Sequence, residues 1–222
     1  MITAAGGKRR LKVWDLPTRI VHWLLVLLIP ALWWTAEEGM IERHLMLGQL
    51  ALGLLLVRLI WGFVGSSTAR FSSFVRGPRA VADHLAGRSE YRLGHNPLGA
   101  LSVVAMLALL FLQVGLGLFA TDEDGLNSGP LAYLVSVDTS DAVSELHETA
   151  FWLLVAVIAL HVAAILFYLF GKRDNLLRPM VVGTREAPDT AEEMRPASLL
   201  RFALSAAVAA ALTLFIAGVP TG

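Results

Sequence analysis

The stretch Leu146–Phe170 reads L-H-E-T-A-F-W-L-L-V-A-V-I-A-L-H-V-A-A-I-L-F-Y-L-F, and Glu148, near its start, is its only Asp, Glu, Lys or Arg. A helix of this length clears the ~30 Å hydrocarbon core of a bilayer. Inside it, His147 and His161 stand fourteen residues apart. Fourteen residues make almost four helical turns, so both imidazoles share one face at two depths about 21 Å apart. Polar rings at fixed depths in an apolar helix are expensive and point to function.

Outward from this segment, four more apolar runs appear: Leu16–Ala36, Leu45–Val64, Leu98–Ala120 and Leu199–Val219. The chain has 222 residues, 56% of them hydrophobic and only 16% charged. About 25% charged is usual for a soluble domain. The expected fold class is therefore all-α, a transmembrane four-helix bundle plus a fifth C-terminal transmembrane helix. The expected organisation is a four-helix membrane unit over 1–183, a polar linker over 184–198 and the fifth helix within 199–222. The first run lacks a small-residue cleavage site and is read as a retained helix. The long loop Ser66–Pro97 is expected along the inner membrane surface.

Lysine and arginine orient the bundle. Lys8, Arg9, Arg10, Lys12 and Arg19 precede or open the first run; Arg70, Arg76, Arg79, Arg88 and Arg92 follow the second; Lys172, Arg173, Arg178, Arg185 and Arg195 follow the fourth. The two remaining loops hold Glu37, Glu38, Glu42, Asp122, Glu123, Asp124, Asp138, Asp141 and Glu145 against the single base Arg43. This makes the protein a multi-pass membrane chain, N-terminus cytoplasmic and C-terminus outside, the orientation expected in a plasma membrane. The acidic outer face is expected to attract basic proteins and repel anions.

Two further histidines complete the pattern. His22 lies where the first run enters from the cytoplasm, and His44 where the second enters from outside. Depth then pairs His22 with His161 on the inner side and His44 with His147 on the outer side. Two neutral imidazoles fill both axial positions of a haem iron. The four histidines are thus candidate metal ligands for two non-covalent haem b groups. There is no cysteine, which excludes disulfides, Cys-ligated iron–sulfur clusters and thioether-linked haem. Each pair is too far in depth from the other to share a di-metal site. The competing reading of single histidines is hydrogen-bonded packing or a proton path.

Other cofactor-binding candidates follow from phase. Arg58, fourteen residues after His44, occupies the same face at the inner depth and suits an inner haem propionate; snorkelling at the helix end is its alternative. Arg19, three before His22, could do the same. Gly48, one turn from His44, would let a flat macrocycle approach, with Gly115 and Gly117 in the third run making similar room. Phe151, Leu154 and Ile158 lie on the His147/His161 stripe between the two levels. His84 and His95 are expected to be solvated, Trp14, Trp33, Trp34 and Trp61 to be interface anchors, and Trp23 and Trp152 to pack within the bundle. No glycine-rich nucleotide fingerprint occurs, and no nucleic-acid partner is expected.

Several motifs recur together: V-W-D-L-P-T-R-I-V-H-W ending at Trp23, H-L-M-L-G-Q-L from His44, R-L-I-W-G-F-V-G from Arg58, G-H-N-P-L-G from Gly94, L-H-E-T from Leu146 with L-H ending at His161, and N-L-L-R-P-M-V-V-G closing at Gly183. Over residues 12–183 the chain resembles the bacterial cytochrome b561 and nickel–iron hydrogenase cytochrome b family. The resemblance implies a four-helix bundle with two b haems, ligands at His22, His44, His147 and His161, and quinone as substrate. The fifth run departs from that pattern. The expected activity is electron transfer between the quinone pool and a periplasmic carrier, such as a cytochrome c or a partner redox subunit. The alternatives are a superoxide:ubiquinone oxidoreductase, a cytochrome b subunit of a hydrogenase-like complex, and a haem-free structural or transport subunit.

Overall fold

The computed structural model describes residues 7–88, 93–122 and 124–218; the expected charges Arg92 and Glu123 and the expected helix end Val219 lie outside them. Among the described residues, five helices are long and apolar enough to cross a membrane: α1 (Leu16–Glu37), α2 (Ile41–Val64), α5 (Pro97–Gly117), α6 (Val137–Leu166, continued through a π turn to Gly171) and α8 (Leu199–Ala217). Three short α-helices lie between them among the described residues, α3 (Phe71–Phe74), α4 (Pro78–Leu85) and α7 (Leu177–Val182), with a 3-10 turn at Ala132–Leu134.

Local chemistry sets the helix starts. Asp15 caps α1 by accepting from the Thr18 N–H at 2.9 Å, ahead of Pro17 in the first turn. Asn96 caps α5 in the same way, accepting from Gly99 N–H at 2.7 Å, with Pro97 at its first position. Ser136 caps α6, so this helix begins nine residues before the apolar run that announced it. Its first turns are polar and held by side chains: Ser140 Oγ donates to Phe119 O (2.7 Å) and Ser144 Oγ to Thr121 O (2.9 Å). A cap and local helix-forming residues produced these turns, and hydropathy could not see them.

The core lies between α1, α2, α5 and α6. Leu55 is fully enclosed, with Val21 and Leu25 of α1 beside it and Leu107, Leu110, Phe111 and Val114 of α5 against them. Leu154 of α6 is buried, while Leu101 and Leu112 of α5 and Leu153, Leu160 and Leu166 of α6 face outward. Outward apolar faces are what lipid, rather than water, requires.

The expected linker is not free. Thr184–Pro188 forms a strand, β2, paired antiparallel with β1 (Lys8–Lys12), Lys8 opposite Pro188 and Lys12 opposite Thr184. Val13 N–H donates to Gly183 O (2.8 Å), Thr68 Oγ1 to Val13 O (2.5 Å) and Ser67 N–H to Arg195 O (3.0 Å). These bonds gather the N-terminal segment, the α2–α3 loop and the 183–197 segment at one end, hereafter the basic end. The α1–α2 and α5–α6 connections form the opposite, acidic end.

Helix α8 packs on α2. Trp61 meets Phe202 edge-on at 5.5 Å, and Ser205 and Ala209 are buried against the bundle. Small residues at this seam allow close helix approach, the usual device where lipid removes the hydrophobic drive.

Candidate functional site

At the acidic end, His44 in the first turns of α2 faces His147 of α6. Their ring centres are 6.2 Å apart and their planes nearly perpendicular, at 86°. Each ring is oriented by a backbone carbonyl: His44 Nδ1 lies 2.9 Å from Leu32 O, and His147 Nδ1 lies 2.9 Å from Gln113 O. An Nδ1–H given to a carbonyl fixes the tautomer that leaves Nε2 with a lone pair, the usual second contact of a metal-binding histidine. A metal–imidazole bond is about 2 Å, so two imidazoles bound to one iron have ring centres about 6 Å apart.

The pair sits in a cavity of about 730 Å³ whose walls include Leu28, Gly48, Gln113, Gly117, Phe151 and Leu154. Such a volume is typical of small-molecule and cofactor sites. A Cβ added to Gly48 would meet nothing within 4 Å, so the glycine opens onto this space. At Gly117 a Cβ would stand 3.0 Å from His147 Cε1, so a larger residue would crowd the ring. Gln113 Oε1 is buried with no partner, while its Nε2 lies 3.3 Å from both ring nitrogens of His147. An apolar slot, two oriented imidazoles and an orphaned polar atom fit a bis-histidine haem. Among the described residues no group of three or more His, Asp or Glu could hold a bare metal ion.

The cavity rim is acidic. Glu37, Asp122, Asp124 and Glu148 all line it. Asp122 is spent on the turn that follows it, accepting from Leu126 N–H (2.8 Å), Asn127 N–H (3.1 Å) and Asn127 Nδ2 (2.7 Å). The Asn127 side-chain bond, with the backbone bonds behind it, holds this carboxyl below its ordinary range.

At the basic end, His161 is a close electrostatic neighbour of His22, whose Nδ1 is buried without a partner. Trp23 meets His22 edge-on and donates from Nε1 to Met180 O (3.1 Å), fixing α1 to α7. Arg58 is buried at 7% exposure and does not snorkel. It makes one long contact, Nη1 to Ala69 O at 3.5 Å, and lies 5.2 Å over the Phe71 ring. Arg19 donates from Nη1 to Val181 O at 2.6 Å and keeps a buried Nε without a partner.

The family description of prokaryotic cytochrome b561 matches residues 13–183. The chain belongs to this family. No curated protein and no solved structure matches it. Membership makes it a bacterial membrane b-type cytochrome that binds haem b and works in electron transfer with redox partners. The match stops at the start of β2, so α8 lies beyond it.

Within this cytochrome several expectations are corrected. His95 is not solvated: its ring lies between Trp14 (4.6 Å) and Phe74 (4.7 Å), and its Nδ1 is enclosed. Burial first, then Arg58 and His161, push its pKa down to about 3. His84 lies half-buried on α4. Trp14 and Trp61 are not interface anchors but are buried, and Trp61 Nε1 donates to Asp15 Oδ2 at 2.9 Å. Trp152 points out of the bundle rather than into it. Trp33 and Trp34 are exposed, as membrane-interface residues are. Gln113 and Asp15 were not singled out from the sequence. A lone glutamine in the apolar run was the available signal for the first, and the V-W-D-L-P cap for the second.

Proposed function

We propose that this cytochrome holds two haem b groups and carries electrons between membrane quinone and a periplasmic electron carrier. The observation that carries this reading is the facing pair His44 and His147 in its cavity, with His22 and His161 grouped at the other end of the same bundle. Haem held by these histidines would supply one-electron redox chemistry. The residues do the rest: Leu32 O and Gln113 O fix the ligand tautomers, Gly48 and Gly117 leave room, and the buried Leu25, Leu55 and Leu154 wall the cavity with apolar surface.

The charge pattern supports an N-terminus in the cytoplasm and the acidic cavity rim on the periplasmic side. A rim of Glu37, Asp124 and Glu148 favours approach by a basic carrier such as a cytochrome c and disfavours an anion such as superoxide. The hydrogenase-like alternative has no comparable feature in its favour.

The test is haem counting on purified protein by alkaline pyridine spectroscopy against chain concentration. Two haems per chain are expected. One haem or none contradicts the reading.

A further inference from the structure

His95 has no part in the pairing of the four histidines, yet it is built into the same end as His22 and His161. Gly94, at φ +96°, turns the chain just before it, and the ring is clasped between Trp14 and Phe74. Its Nδ1 is enclosed and has no hydrogen-bond partner. Enclosed polar nitrogens without partners are rare and call for a bound group or another explanation. Arg58 and His161 are its electrostatic neighbours. Arg58 is similarly underused, since a guanidinium offers five N–H donors and this one makes a single long bond. The carboxylate closest in its surroundings, Asp15, already accepts from Thr18 N–H and Trp61 Nε1. A buried imidazole nitrogen with no partner and a guanidinium with a single long bond therefore stand beside an expected ligand.

We propose that His95 and Arg58 together bind a carboxylate of the basic-end haem, a propionate, with His95 donating a hydrogen bond and Arg58 supplying the charge. This rests on the two-haem reading above. A neutral imidazole brings one N–H without adding a second buried cation, and the guanidinium brings a planar fork suited to a carboxylate. Arg19, with Nη1 committed to Val181 O, is not needed for this contact. Contacts of this kind tune a haem beyond its axial ligands.

The experiment uses the full-length cytochrome and His95→Phe, which keeps a flat ring between Trp14 and Phe74 but removes both nitrogens. Haem content and the two midpoint potentials are measured by redox titration, the basic-end haem being the one that survives in His44→Ala. Losing the donor leaves the carboxylate's negative charge less compensated, which favours ferric iron. The basic-end potential is expected to fall, or that haem to be partly lost, while the acidic-end potential stays fixed. His95→Gln, which retains an N–H, is expected to recover part of the shift. Full occupancy with both potentials at wild-type values in His95→Phe overturns the proposal, including where the variant weakens quinol turnover instead. A wild-type protein holding only the acidic-end haem overturns the two-haem reading and this proposal with it. If His95→Phe does not accumulate, Arg58→Lys, which keeps charge but loses the planar fork, is expected to lower the same potential. An unmoved potential there is equally contrary.

Discussion

His44 and His147 lie 6.2 Å apart, ring centre to ring centre, with each Nδ1 turned 2.9 Å from a backbone carbonyl of a neighbouring helix. The helices thus bring together two imidazoles whose Nδ1 atoms are already engaged. Replacing either histidine by alanine is expected to remove the acidic-end haem and leave the other. Pyridine spectroscopy should fall from two haems per chain to one. Two haems with unaltered spectra in His44→Ala or His147→Ala would mean that the pairing is wrong.

Gly48 opens onto the same cavity, with no atom within 4 Å of the place its Cβ would take. Gly48→Leu should therefore be accommodated by the chain alone, and should improve helix propensity by up to about 1 kcal/mol. It is expected to fill the haem slot. The predicted outcome is a folded protein, judged by circular dichroism, that has lost the acidic-end haem. Full haem content would show that the slot lies elsewhere.

Asp15 does two things at once: it caps α1 by accepting from Thr18 N–H, and it ties α1 to α2 by accepting from Trp61 Nε1, each at 2.9 Å. Asp15→Ala removes the cap and strands a buried indole N–H, a loss of about 1–3 kcal/mol. Thermal unfolding in detergent should show a lower midpoint, with Asp15→Asn milder because asparagine also caps. Equal midpoints for wild type and Asp15→Ala would remove this bridge from the account.

Glu37, Asp124 and Glu148 surround the cavity mouth, whereas Asp122 is committed to its turn. Neutralising the first three should slow reaction with a basic cytochrome c by roughly several-fold at low ionic strength and flatten the salt dependence. Stopped-flow rates over a salt series decide this. An unchanged rate and slope would remove surface charge from the argument for the carrier.

Asp122 also makes a pH prediction. Its carboxyl is held below its ordinary range, first by the Asn127 side chain. A depressed folded value stabilises the turn above the unfolded carboxylate pKa of about 3.9, and that support is lost as pH falls through the lower folded value. Amide exchange at Leu126 and Asn127, corrected for intrinsic rates, should accelerate only in that acid range, and Asp122→Ala should show the fast behaviour at every pH.

Much of this architecture is legible in the sequence because hydropathy and helical phase are local. The five membrane helices, and the two levels on the His147/His161 stripe, follow from counting along single segments. The first turns of α6 escaped because they are polar and depend on Ser136, Ser140 and Ser144. The pairing of Lys8–Lys12 with Thr184–Pro188 escaped because it joins segments from the two ends of the family unit. His95 looked solvated because its loop is polar; its burial comes from Trp14 and Phe74, which approach it from distant parts of the chain. Trp61 looked like an anchor until Asp15, forty-six residues away, was seen to hold its indole N–H.

The most direct test of the central claim is anaerobic stopped-flow absorbance of the oxidised, purified protein mixed with ubiquinol, scaled to full chemical reduction. The account predicts a rapid rise of the b-haem band to an amplitude that includes both haems. A normal dithionite spectrum with no rise on quinol would contradict the quinone-linked reading, and no haem band under any condition would contradict the whole account.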